Sequence, residues 1–250
     1  MWKGKHYGGL ARVPILAACI MMTVVSAASE QVRTTTYDGI PLDEPFSVRV
    51  RDTILRIPVG YIGPWLTQKE RGRISARQPL NLNFWMPERR YVEIGDLSIA
   101  GFRPKEPGRG EPLPDASVVR VNDLNLVSSD KLGARSPEKQ FQNLTSLAGL
   151  SSYSFKNEEF GLVRYWQHDW PHPQPEPFLR YRHVAGSDPQ IHLRCTPPHL
   201  VTPYYSMCIG YVYIAPDELS FQIWFSGTDL PRWREYVFAV RDLFRTWKTQ

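Results

Sequence analysis

Near the C-terminus, Leu230, Trp233, Val237, Val240, Phe244 and Trp247 follow one another at steps of 3, 4, 3, 4 and 3, a spacing that puts all of them on one side of an α-helix. Arg232, Arg234, Arg241, Asp242 and Arg245 fall mostly on the other side. Thr228 or Asp229 is placed to cap this helix, and Pro231 sits in the first turn, where proline is tolerated. An apolar stripe of this width has to be buried against another layer, so the helix implies a partner surface.

The partner layer is legible just upstream. Leu162 to Gln167, Phe178 to Val184, Ile191 to Cys195, Tyr204 to Ile214 and Leu219 to Phe225 are successive strand candidates, rich in aromatic and β-branched residues and separated by Pro-rich or Asp-containing turns. Ala215-Pro216-Asp217-Glu218 joins the last two, which predicts an antiparallel hairpin. Earlier candidates are Thr53 to Val59, Leu80 to Met86 and Ser117 to Val127, and Ser136-Pro137-Glu138 predicts a short helix to about Leu147. The expected fold is α+β, a mainly antiparallel sheet covered on one side by the C-terminal amphipathic helix. Along the chain this divides into residues 1–28 as a signal peptide, 29–45 as a polar lead-in and 46–100 as an N-terminal β-rich part. Residues 101–116, with repeated Pro and Gly, follow as a surface loop or linker, and 117–250 as a C-terminal α+β part.

The first of those segments has the order of a cleavable export signal. Lys3, Lys5 and Arg12 precede an apolar run from Val13 to Val25, and Ser26-Ala27-Ala28-Ser29 supplies small residues for cleavage after Ala28. The run is shorter than the roughly 18 residues of a spanning helix. Leu16-Ala17-Ala18-Cys19 also matches a lipobox, so lipidation at Cys19 or an uncleaved anchor are the alternative contacts with a membrane. The whole chain carries +5; without the three signal cations 27 basic residues face 25 acidic ones, a net +2. So small a charge implies no nucleic-acid partner, which would need a basic face. With Cys19 removed or lipidated, Cys195 and Cys208 remain as an even pair, read as a disulfide in an oxidising compartment, with two free buried thiols as the alternative.

Chemistry is harder to find. Trp166-Gln-His168-Asp-Trp170-Pro-His172-Pro is rich in aromatic and imidazole side chains, but Pro171 and the prolines after it oppose the helical pairing that would turn His168 and His172 toward one metal. The segment reads as a solvent-facing loop or, through Trp166, His168, Trp170 and His172, as a candidate protein interface. His183, His192 and His199 lie near Ser206 without an elbow motif or an assignable acid. The carboxylates Glu158 and Glu159 are adjacent on a strand, and Asp217 and Glu218 share a turn, so neither makes a glycosidase pair. The expectation is a chain with no catalytic, cofactor or metal residues. Asn143-Leu-Thr145 matches the glycosylation pattern, which matters only in a eukaryotic source.

The C-terminal third, with Leu193-Arg-Cys195, Cys208-Ile-Gly-Tyr-Val-Tyr213, Leu219-Ser-Phe-Gln-Ile-Trp-Phe225 and Leu230-Pro-Arg-Trp233, resembles small exported Gram-negative proteins that include immunity proteins of type VI secretion. That resemblance implies periplasmic residence and binding of a secreted toxin, and it transfers no catalytic residue. An envelope structural or secretion-assembly role and a hydrolase with an unrecognised site are the competing readings.

Overall fold

A computed structural model of the chain describes residues 36–37, 40–62, 80–91, 117–148, 153–167, 179–183, 188–196 and 206–249. The signal segment, the proline- and glycine-rich stretch 101–116 and most of the lead-in lie outside the described residues. Strands β1 (Thr36–Tyr37) and β2 (Ile40–Pro41) pair with each other, and β3 (Pro45–Val50) pairs with β4 (Thr53–Pro58) across the turn Arg51-Asp52. One turn of helix, α1 (Val59–Ile62), follows.

The main sheet contains β5 (Leu80–Met86), β6 (Ser117–Leu126), β7 (Tyr153–Glu159), β8 (Leu162–Gln167), β9 (Leu179–Arg182), β10 (Gln190–Cys195), β11 (Met207–Ile214) and β12 (Leu219–Ser226). Their order is β5-β6-β12-β11-β10-β9-β8-β7, with every pair antiparallel. After β6 the chain crosses to the far edge through α2 (Pro137–Ala148) and returns as a meander that closes with β12 against β6. The sheet therefore takes strands from both sides of residues 101–116. Ser136 caps α2, its Oγ accepting from Lys139 N–H at 3.3 Å.

Side-chain alternation gives the sheet two unlike faces. Leu82, Phe84, Val119, Val121, Leu219, Phe221, Ile223, Phe225, Cys208, Val212, Ile191 and Leu193 share one face by register and are all buried. Against them lies α3 (Trp233–Trp247), whose Trp233, Tyr236, Val237, Val240, Phe244 and Trp247 are buried in the same core as Val48, Val50, Leu55 and Ile57 of the β3–β4 hairpin. The expected stripe is thus the buried one. Gly210 lets β10 and β11 approach here, because a Cβ on it would meet the Leu193 side chain at 2.6 Å. On the opposite face α2 packs over β10 and β11, with Phe141 edge-on to Tyr165 at 5.2 Å and the Arg182 guanidinium 3.8 Å above the Phe141 ring. The sheet is accordingly covered by a helix on each face, where the sequence assigned α2 to neither.

The start of α3 departs from expectation. Residues Gly227–Arg232 form a 3-10 segment, and α3 begins only at Trp233, with no side-chain cap from Arg232. Both expected caps are engaged elsewhere. Thr228 Oγ1 shares a 2.8 Å hydrogen bond with Ser226, and the buried Asp229 carboxylate accepts from the Ser117 hydroxyl of β6. A buried carboxylate has more to gain from a partner across the sheet than from a helix end exposed to water.

Cys195 and Cys208 face each other in the β10–β11 ladder and are joined by a disulfide. It closes a loop over a separation of 13 residues, at the end of the hairpin where the connection between the two strands begins. The restricted unfolded chain makes it worth about 3 kcal/mol. Replacing both cysteines by alanine should lower the free energy of unfolding in urea by that amount, with a somewhat steeper denaturant slope because the unfolded chain expands, whereas coincident transitions would show that the bond contributes nothing.

Candidate functional site

Trp166 lies on β8, opposite Ser154 of β7. His168, Trp170 and His172 lie outside the described residues, as does His199.

The other histidines have structural partners. His192 is buried beneath α2, its ring stacked on Tyr165 with centroids 6.0 Å apart and its Nε2 bonded to the Tyr165 hydroxyl. Burial, and next the positive charges of Arg180, Arg182 and Arg194, push its pKa down to about 3. The ring is therefore neutral at physiological pH, with its Nε2 and the Tyr165 hydroxyl sharing one hydrogen bond. Ser206 is fully buried and donates to the Thr196 carbonyl at 2.9 Å, with Gly227 packed so closely that a Cβ there would collide with its hydroxyl. It is thus tied into the strand connection. Among the described residues no group of three or more His, Cys, Asp or Glu is placed to hold a metal ion.

A cleft of about 360 Å³ opens between the β3–β4 turn, the β11–β12 turn and the end of α3. Arg51, Asp52, Asp217, Glu218, Arg245 and Lys248 give it both signs of charge. Arg245 and Asp217 form a bidentate pair at 2.9 and 2.8 Å, which closes the charge on that wall.

The other distinctive surface is where the β7–β8 turn meets α3. Glu159 pairs with Leu162, leaving Phe160 and Gly161 as a two-residue turn with φ of 55° and 74°. Positive φ at both positions is the type I′ pattern, which favours Asn, Asp or Gly at the first. Phe160 is 45% exposed. Its carbonyl accepts the indole N–H of the buried Trp233 at 2.9 Å, which fastens the turn to the helix. Next to it, Arg234 extends over Gly161, where a Cβ would come within 2.8 Å of Nη2. The guanidinium donates to His183 Nε2 at 3.1 Å and lies 5.2 Å from the Trp233 ring centre. His183 is fixed in turn by Nδ1 on the Pro189 carbonyl at 2.9 Å, so Nδ1 carries the proton and Nε2 is free to accept.

The sequence names Trp233 only as part of the buried stripe, Arg234 only as part of the polar face and His183 only among the histidines near Ser206, and it does not mark Phe160 or Gly161. The signal available was an aromatic residue beside glycine between two strands, but β7 itself, Tyr-Ser-Phe-Lys-Asn-Glu-Glu, alternates too weakly to mark Phe160 as a hairpin tip.

No family model and no curated protein matches the chain. Among solved structures, Smlt3025, an immunity protein of the Stenotrophomonas maltophilia type IV secretion system, superposes with a TM-score of 0.53 at 14% identity, over 83% of this chain and 94% of that one. FrpD, an iron-regulated outer membrane lipoprotein of Neisseria meningitidis, gives 0.42 at 9% identity over 82% and 93%. The first likeness establishes that this chain shares its fold with an immunity protein; the secretion system named there is type IV rather than the type VI of the sequence resemblance.

His192 makes stability depend on pH. Its folded pKa of about 3 lies below the unfolded value of 6.5, so the unfolded chain binds the extra proton between those limits. The contribution is present above pH 6.5 and is lost, by about 1.4 kcal/mol per pH unit, as the pH falls toward 3. Thermal unfolding of the wild type and His192→Gln from pH 7 to 4 should give curves that converge as acid is added; parallel curves would mean that the imidazole is not held neutral.

Proposed function

We propose that this chain is an exported periplasmic binding protein of the immunity kind, one that binds a secreted toxin and covers its active site without performing chemistry of its own. The observation that carries this reading is the shared fold with an immunity protein across 83% of the chain. Two features of the chain agree with it. Residues 1–28 have the order of an export signal, and the Cys195–Cys208 disulfide suits an oxidising compartment. Contact with a membrane is then confined to the N-terminal segment, if it stays uncleaved or is lipidated at Cys19. The toxin-facing surface is assigned to Trp166, His168, Trp170 and His172, because tryptophans held among prolines offer large contact area at little entropic cost.

The test is protection from a toxin encoded beside this gene and directed to the periplasm. Co-production of the full chain should restore growth, and a version starting at Ser29 should not. Trp166→Ala combined with Trp170→Ala should weaken binding of the purified toxin at least about 30-fold. A full-length, folded chain that reaches the periplasm and gives no protection would overturn the function; undiminished binding by the double variant would overturn the interface alone.

A further inference from the structure

We propose that Phe160 and Arg234 form a docking site for an acidic segment of a partner protein, one that presents an Asp or Glu carboxylate to the guanidinium and an apolar side chain to the phenyl ring. The site is independent of the toxin reading, and it lies roughly 20 Å along β8 from Trp166.

Three observations meet here. The first is conformational. A phenylalanine at φ 55° in the first position of a two-residue turn is held against its preference, and with 45% exposure it recovers little by burial. The second is electrostatic. Arg232 pairs with Glu235, Arg241 and Arg89 with Asp242, and Arg245 with Asp217. Arg234 lies on the same helix as Arg241 and Arg245, and among the described residues no carboxylate is within ion-pair distance of it; its hydrogen-bond partner is the His183 ring. The third is preorganisation. Trp233 behind, Gly161 beneath and His183 beside the guanidinium fix it before any partner arrives, and the Trp233 N–H holds the Phe160 backbone in the same frame. An immobilised Arg fork beside an exposed aromatic ring matches a carboxylate in geometry and charge, and it loses little freedom on binding.

The charge pattern also chooses between kinds of partner. An anionic membrane or a nucleic acid attracts clusters of uncompensated cations, each adding a similar increment. Here Arg232 and Arg245 each pair with a carboxylate and Arg241 shares Asp242 with Arg89, so among the described residues Arg234 is a single cation without a carboxylate next to one exposed ring, which is the size of a side-chain pair on a protein.

The full folded chain should be panned against displayed random linear peptides, with counter-selection on Arg234→Glu. The expected result is an enriched set in which Asp or Glu adjoins an apolar residue. A synthetic peptide from that set should bind the wild type, lose at least about tenfold in affinity to Arg234→Glu and to Phe160→Asn, and retain part of it with Arg234→Lys. Phe160→Asn should also unfold at a higher temperature, since Asn suits this turn, so its loss of binding cannot come from misfolding. The proposal is overturned by an absence of enriched peptides, by peptides lacking an acidic residue, or by peptides that both variants retain. Phosphatidylglycerol vesicles that bind the wild type but not Arg234→Glu would overturn it in favour of a lipid surface. Failure of toxin protection leaves this result untouched, because the peptide assay does not involve the toxin.

Discussion

The seating of α3 on the sheet is the interaction on which the described structure most depends. Its stripe includes two tryptophans, a tyrosine and a phenylalanine, all buried, and truncating one such aromatic in a packed core typically costs about 3 to 5 kcal/mol. The helix also reaches parts of the chain far away in sequence. Trp233 holds the β7–β8 turn, Arg245 holds the β11–β12 turn through Asp217, and Asp242 pairs with Arg89 beyond β5. Just past the helix, Thr249 N–H donates to the Ile54 carbonyl at 3.0 Å and Lys248 bridges to Leu55, so the β3–β4 hairpin is tied to the same element. These polar ties are individually weak where exposed, and they act mainly by fixing where the apolar stripe sits.

The opposite face follows another logic. Across β8, β9 and β10 it carries Tyr165, Arg180, Arg182, His192 and Arg194, with Glu138 of α2 placed 3.7 Å from Arg182. Such a set is kept in place by aromatic and cationic stacking, as in Arg182 over Phe141, and by leaving His192 uncharged among the guanidinium groups. On the β5–β6 side, Trp85 and Val118 make a small separate cluster, with the Arg90 guanidinium 5.5 Å from the Trp85 ring centre. The disulfide marks the boundary between these designs, since Cys195 and Cys208 point into the α3 core from strands whose alternate residues build the polar face.

Periodicity made the strands and α3 legible, because both encode burial locally. β5 and β8 match their expected bounds, and the α3 stripe is buried residue for residue. What local pattern does not encode is partnership. That β12 closes against β6, or that α2 takes the face opposite α3, depends on contacts between residues far apart in the chain. The late start of α3 has a similar cause. Ser-Gly-Thr-Asp-Leu-Pro reads as a cap followed by a first turn, but the side chain of Asp229 is drawn to Ser117, which is 112 residues away in sequence. The candidate site was the least legible part, since Trp166 and its neighbours were found by composition, whereas the geometry at Phe160 arises from a turn, a strand and a helix that meet only in the folded chain.

That contrast bears on how such a surface is read. Strong local signals, such as a stripe or an alternation, report what the chain must bury, and natural sequences agree with their folds at those positions. A residue placed against its local preference carries a different kind of information. Asn or Gly at position 160 would relax the backbone and remove an exposed ring, so neither conformational preference nor burial accounts for Phe. The frame around Arg234 has the same character: an indole, an imidazole and a bare glycine are used to immobilise a cation that surface arginines normally leave mobile. Order of this kind adds little to stability in water, where an exposed guanidinium is already well solvated, and gains value only when another surface displaces that water.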